Sequence, residues 1–114
     1  MTAQELYDRI FNAAWESIDG SDGYISGYIE IEGEDGSLTI IEVSGRYETA
    51  GYCEDDYDGT GNWVTTLAEV TIDGIEATAT DENDDEIEND ITRLAREINL
   101  ASLEKELRAE LWAA

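Results

Sequence analysis

The chain has 114 residues and a formal net charge of −23, with 29 acidic residues against six basic ones, no histidine, no proline and one cysteine. This length supports one domain with a modest core. The composition removes the commonest general base and zinc ligand, any intramolecular disulfide, and the basic patch that direct nucleic-acid binding requires. The charge is uneven: residues 1–92 carry the whole excess, with Arg9 and Arg46 as their only basic residues, whereas residues 93–114 are balanced. The 41% hydrophobic content is patterned rather than scattered, which argues for a folded chain despite the charge.

Thr2-Ala3-Gln4-Glu5 has the form of a capping box, and Leu6, Ile10, Ala13 and Ala14 follow at helical spacing. The first helix is expected to end at Asp19-Gly20. No basic stretch followed by an apolar run opens the chain and no apolar run approaches spanning length, so a cytoplasmic protein away from membranes is expected. Tyr24 to Glu32 alternates, with Ile25, Gly27, Ile29 and Ile31 on one face, and reads as a half-buried strand. Gly33-Glu34-Asp35-Gly36 reads as a hairpin loop. The next strand runs from Ser37 to about Glu48, and its apolar phase changes between Ile40 and Ile41. Either a bulge there or cover on both faces accounts for the change.

Thr49 to Gly61 reads as a long loop bearing Tyr52, Glu54, Asp55, Asp56, Tyr57 and Asp58. Asn62 to Ile72 reads as a strand whose even-numbered residues face the helices. Asp73-Gly74 reads as a type I′ hairpin turn, and Ile75 to Thr80 as the returning strand. A helix is expected to start near Asp84, capped by Asn83 with Glu86. Ile87, Ile91, Leu94 and Ile98 form one stripe, and Leu100, Leu103, Leu107 and Leu111 another. A break or bend near Asn99 is favoured over one continuous helix. The second stripe is core, or a dimer surface if the last helix swings free. Glu104 and Arg108 form an expected i,i+4 pair. The fold class is therefore α+β in two layers: a helix, three or four antiparallel strands in a meander, and one or two C-terminal helices.

Chemistry is sparse. The single Cys53 has no histidine to activate it, and no phosphate-binding glycine loop is present. Residues 54–59 imitate the first half of a calcium loop but place Thr65 where a bidentate acid is needed. Residues 81–85 lead to Glu86 and Thr92 at the two diagnostic positions. At most weak calcium binding is expected, with no cofactor and no enzymatic activity.

The acids form three runs: Glu30, Glu32, Glu34 and Asp35; Glu54, Asp55, Asp56 and Asp58; and Asp81, Glu82, Asp84, Asp85, Glu86, Glu88 and Asp90. Alternate strand residues project the same way at about 6.6 Å intervals. Glu30 and Glu32 thus place carboxylates in a line. In helix–meander–helix order, shortness and charge, the whole chain resembles the small acidic phage-encoded inhibitors of CRISPR effectors and phage DNA mimics generally. The resemblance implies a phage or mobile-element protein that imitates a nucleic-acid backbone and blocks a basic nucleic-acid-binding protein, such as a CRISPR effector or restriction enzyme. The three acid runs would supply the electrostatics, and Tyr52 and Tyr57 would anchor the contact. The competing expectation is an acidic interaction module or a salt-adapted protein without mimicry. Monomer and homodimer both remain open.

Overall fold

The computed structural model describes residues 1–19, 21–55 and 61–113; at residues 54, 55, 62 and 63 the description is of backbone alone. Helix α1 spans Ala3–Ile18. Strands β1 (Tyr24–Glu32), β2 (Leu38–Asp55), β3 (Gly61–Thr80) and β4 (Glu86–Ile87) follow, then helices α2 (Asp90–Arg96) and α3 (Leu100–Ala113). The strands form one antiparallel sheet in the order β1-β2-β3-β4, a plain meander. Helices α1, α2 and α3 lie on one of its faces. The expected α+β order of helix, meander and C-terminal helices is the one found.

Helix α1 starts as its sequence dictates: the Glu5 N–H donates to Thr2 Oγ1 at 3.1 Å. Leu6, Ile10 and Ala14, one turn apart, are fully buried against the sheet. The helix ends at Ile18, and Gly20, its expected stop, lies outside the described residues. Strand β1 alternates buried and exposed along its whole length, with Ile25, Ile29 and Ile31 in the core. Tyr47 ties this end together, its hydroxyl lying 2.9 Å from the Ser21 carbonyl and 3.2 Å from that of Ile18.

The β2 register runs unbroken through Ile40 and Ile41 on both sides, so the expected bulge there is absent. The odd residues Thr39, Ile41 and Val43 face the core, and the polar Thr39, only 1% exposed, hid the alternation. Its hydroxyl accepts a hydrogen bond from Asn89 Nδ2 at 2.9 Å, which makes a buried threonine tolerable there.

Asp73-Gly74 is not a turn. Strand β3 passes through it without reversing, and the register slips by one residue there, Ser44 pairing Gly74 while Gly45 pairs Ile72. Asp73 is the extra residue of a β-bulge. The slip moves the buried set from Ala68, Val70 and Ile72 to Ala79, with Ile75 and Ala77 packed against the core on the same face. A change of apolar phase flanking Asp-Gly suggests a hairpin in sequence, but a one-residue bulge produces the same pattern. Gly45 permits it, because a Cβ there would overlap the Thr71 carbonyl oxygen. The Ile72 N–H donates to Glu104 Oε1 on α3 at 2.8 Å. Glu104 is therefore committed to the bulge and makes no ion pair with Arg108.

The expected long loop is mostly strand. Residues 49–55 continue β2 and pair with residues 61–68, with a second register slip between Ala50 and Gly51. The helix expected near Asp84 begins at Asp90 instead. Asn89 caps it, exchanging hydrogen bonds with Thr92, and no capping box forms at Asn83. The break near Asn99 is present: α2 ends at Arg96, and the Ser102 N–H donates to Asn99 Oδ1 at 3.2 Å as α3 begins. Leu103, Leu107 and Leu111 are buried, so the leucine stripe is core.

The β2–β3 ribbon extends beyond the helices. The radius of gyration is 17.5 Å and the long axis 63 Å. A compact chain of this length would have a radius of gyration of about 13 Å.

Candidate interaction surface

The sheet face away from the helices is built by the period-two alternation that builds the core. On β1 it carries Tyr24, Ser26, Tyr28, Glu30 and Glu32, all exposed. Across the ladder, Tyr28 pairs Glu42, which pairs Glu76, and Tyr24 pairs Arg46, which pairs Thr71. Thus Glu42 and Glu76 are direct cross-strand neighbours. So are Glu48 and Glu69 further along the ribbon. Like charges directly opposite one another destabilise a sheet. The exposed Tyr28 phenol donates to Glu30 Oε1 at 2.5 Å, and that bond holds it protonated above the usual tyrosine range. A hollow of about 180 Å³ is lined by Tyr28, Glu42 and Glu76 with Ser26 and Ser44.

At one end of the sheet lie the two tight loops 33–37 and 81–85. Leu38 pairs Thr80, which places both loops at the same end of the sheet. They touch: a Cβ on Gly36 would sit 3.2 Å from that of Glu82. Each loop is closed by one of its own acids. Asp35 Oδ1 accepts from the Ser37 N–H at 3.1 Å and from its hydroxyl at 2.6 Å. Those bonds hold the Asp35 carboxyl below the usual range. Asp81 Oδ1 accepts from the N–H groups of Asn83 at 2.8 Å and Asp85 at 3.0 Å. Asp84 adopts a left-handed backbone, φ 63°, to complete the turn.

The structure thus divides the acids singled out from sequence. Glu30, Glu32, Glu34, Glu82, Asp84, Asp85 and Glu86 are exposed, and none is in an ion pair among the described residues. Asp35 and Asp81 are turn-formers. Glu88 and Asp90 are partly neutralised, by Arg96 and by Arg93 at 3.3 Å. Asp56, Tyr57 and Asp58 lie outside the described residues, as do the side chains of Glu54 and Asp55. The backbone of β2 places the 54–55 end roughly 55 Å from the loops at Leu38, so that run does not share their surface. Tyr52 is not at a loop tip. It lies within β2, 53% exposed, opposite Val64.

Four acids of the open face, Glu42, Glu48, Glu69 and Glu76, escaped sequence reasoning. Each is an isolated acid in a strand, and its neighbour appears only once the β2–β3 register is known. A bulge at Asp73 in place of a turn would have aligned Glu42 with Glu76.

Among the described residues, no three acidic or cysteine side chains converge to hold a metal ion, and no helix is long and apolar enough to cross a membrane. Comparisons with protein-family models, curated proteins and solved structures found no match.

Proposed function

We propose that this protein is a nucleic-acid-mimicking inhibitor that occupies the basic groove of a DNA- or RNA-handling protein, such as a CRISPR effector or a restriction enzyme. The supporting observation is the contact between loops 33–37 and 81–85. It joins two acid runs far apart in sequence into one surface, continuous with the exposed Glu30, Glu32 and Glu86. Of these carboxylates, Glu30 and Glu32 are spaced by the strand repeat of about 6.6 Å, and the rest stand on or beside hydrogen-bonded turns. A duplex presents about one charge per 1.7 Å of axis, and a protein that reads it is lined with lysine and arginine to match. Carboxylates carried on an ordered backbone meet such a groove without the cost of ordering a disordered segment.

The opposed Glu42–Glu76 and Glu48–Glu69 pairs point the same way. They cost the isolated protein stability, and a cationic partner relieves that cost. A basic side chain entering the hollow beside Tyr28 meets two carboxylates and an aromatic ring, a combination that favours guanidinium.

The test is inhibition of DNA binding by purified CRISPR effectors and restriction enzymes, measured over a range of salt. Inhibition should be competitive with duplex DNA and should weaken steeply as salt rises. Combining Glu34→Gln, Glu82→Gln, Asp84→Asn and Asp85→Asn should weaken it by at least about tenfold. Neutralising Glu97 and Glu110, in the charge-balanced C-terminal segment, should leave it intact. Equal losses from both sets would point to generic charge and overturn the assignment of this surface.

A further inference from the structure

The β2–β3 arm has a neutral stretch behind an acidic end at Glu54 and Asp55. Residues 49–53 and 61–68 contain no acidic or basic side chain, in a chain that is 31% charged. The arm is also uncovered. The helical layer ends at a groove lined by Trp15, Ile18, Tyr47, Thr49 and Leu111, and the ladder continues from Ala50–Leu67 to Asp55–Gly61. Tyr52 is 53% exposed there. A two-stranded ribbon is marginal in water by itself, whereas a sheet of three or more strands is stable.

The molecule treats its two edges differently. The β1 edge carries Glu30 and Glu32, and the Ser26 N–H donates to Ser17 Oγ at 3.1 Å. Charges and blocked amides are the usual protection of an edge against further pairing. Among the described residues the β3 edge shows neither from Gly61 to Ala68, where Thr66 is the extra residue of the second bulge. Among the described residues β4 pairs with β3 only at Ala79 and Thr80, and Glu104 occupies an amide only at Ile72. From Gly61 to Ala68 the segment reads Gly-Asn-Trp-Val-Thr-Thr-Leu-Ala, neutral and rich in strand-forming residues.

We infer that the β3 arm edge pairs with the same edge of a second copy of this chain, forming a four-stranded sheet β2-β3-β3-β2 across a two-fold axis. Antiparallel pairing centred between Val64 and Thr65 sets Gly61 opposite Ala68 of the other copy, so every pair within the segment is neutral. The two-fold makes the contact self-complementary. It also directs the two helix-covered bodies to opposite ends of the joined ribbon. A second copy is favoured over a basic partner because the segment from Gly61 to Ala68 itself offers such a partner no carboxylate.

The full chain in sedimentation equilibrium, at tens of micromolar, should show twice the monomer mass of 12.6 kDa. Association should strengthen with added salt, the opposite of capture of a basic partner, so this inference and the inhibitor reading can fail separately. Thr66→Asp, at an exposed position of the arm, should raise the dimer dissociation constant by about tenfold or more. Its circular dichroism and monomer fold should be unchanged. Paired Glu97→Gln and Glu110→Gln, on the helical side, should not weaken the dimer. A monomer at every concentration and salt overturns the inference, as does a dimer that Thr66→Asp does not weaken.

Discussion

Asn89 is the residue on which the acidic run turns into helix. Its carboxamide oxygen caps the Thr92 N–H at 2.9 Å, and its amide nitrogen bonds the buried Thr39 hydroxyl fifty residues away. One side chain thus starts α2 and pins it to the sheet. Asn89→Ala should cost about 1–2 kcal/mol in urea unfolding. Asn83→Ala, in the exposed loop, should cost less than about 0.5 kcal/mol. The pair separates the observed helix start from the one the sequence suggests. Asn83-Glu86 and Asn89-Thr92 both have capping spacing, and only the tertiary partner Thr39 decides between them.

Two other residues contribute to the pH dependence of stability. The Tyr7 hydroxyl donates to Glu106 Oε2 at 2.8 Å, joining α1 to α3. Burial first, and then Glu106, push its pKa well above the ordinary tyrosine value. A raised folded pKa means the contribution is complete below about pH 10, where the unfolded phenol titrates, and is lost as pH rises beyond it. Tyr7→Phe should therefore flatten the alkaline limb of the stability profile. Asp35 has the opposite sign. Its lowered pKa contributes stability above the ordinary carboxyl range, lost as pH falls through its folded value. Asp35→Asn should flatten the acid limb, and Glu34→Gln should leave that limb as it was. Thermal melts across pH check both.

Among elements, the bulge at Asp73 does the most to shape the molecule. It lets one 20-residue strand keep a buried face on both sides of a phase change. It also sets Glu42 against Glu76 and frees the Ile72 N–H for Glu104. Glycines distinguish a bulge from a turn. A type I′ hairpin would need Gly74 at positive φ, but it is not among the positive-φ glycines, and nothing lies within 4 Å of a Cβ built there. Gly74→Ala should be tolerated to within about 0.5 kcal/mol. Gly45→Ala forces a side chain onto the Thr71 carbonyl oxygen and should cost more than about 2 kcal/mol, or prevent folding. The reverse result would restore the hairpin.

Element type was legible wherever one period ran uninterrupted, as in α1, β1 and the two C-terminal helices. It failed at Asp73-Gly74, where turn chemistry and bulge chemistry use the same residues. It failed again at Thr49 to Asp55, where small and polar residues suggested a loop but the facing strand made a ladder. Of the acid surface, the runs 30–35 and 81–86 were visible as composition. Their contact depended on Leu38 pairing with Thr80, and that register follows from the bulge.

At the scale of the whole molecule, charge and shape separate into two parts. The body carries fixed acids on its open face and at the loop end, and the arm carries none along its neutral stretch. Like-charge pairs on the sheet imply that the free protein gains stability from screening. The melting temperature should rise with sodium chloride from low ionic strength. Glu42→Gln, which removes one opposed pair, should shrink that rise. A melt indifferent to salt would mean that the carboxylates are too well solvated to interact.

The most direct measurement is capture from a lysate at low salt on the immobilised protein, with parallel elution by salt and by duplex DNA. The same capture is run on the variant combining Glu34→Gln, Glu82→Gln, Asp84→Asn and Asp85→Asn. Mimicry predicts that a basic nucleic-acid-binding protein is retained, that DNA releases it, and that the variant fails to retain it. Retention that DNA cannot displace, or that the variant preserves, would contradict the account.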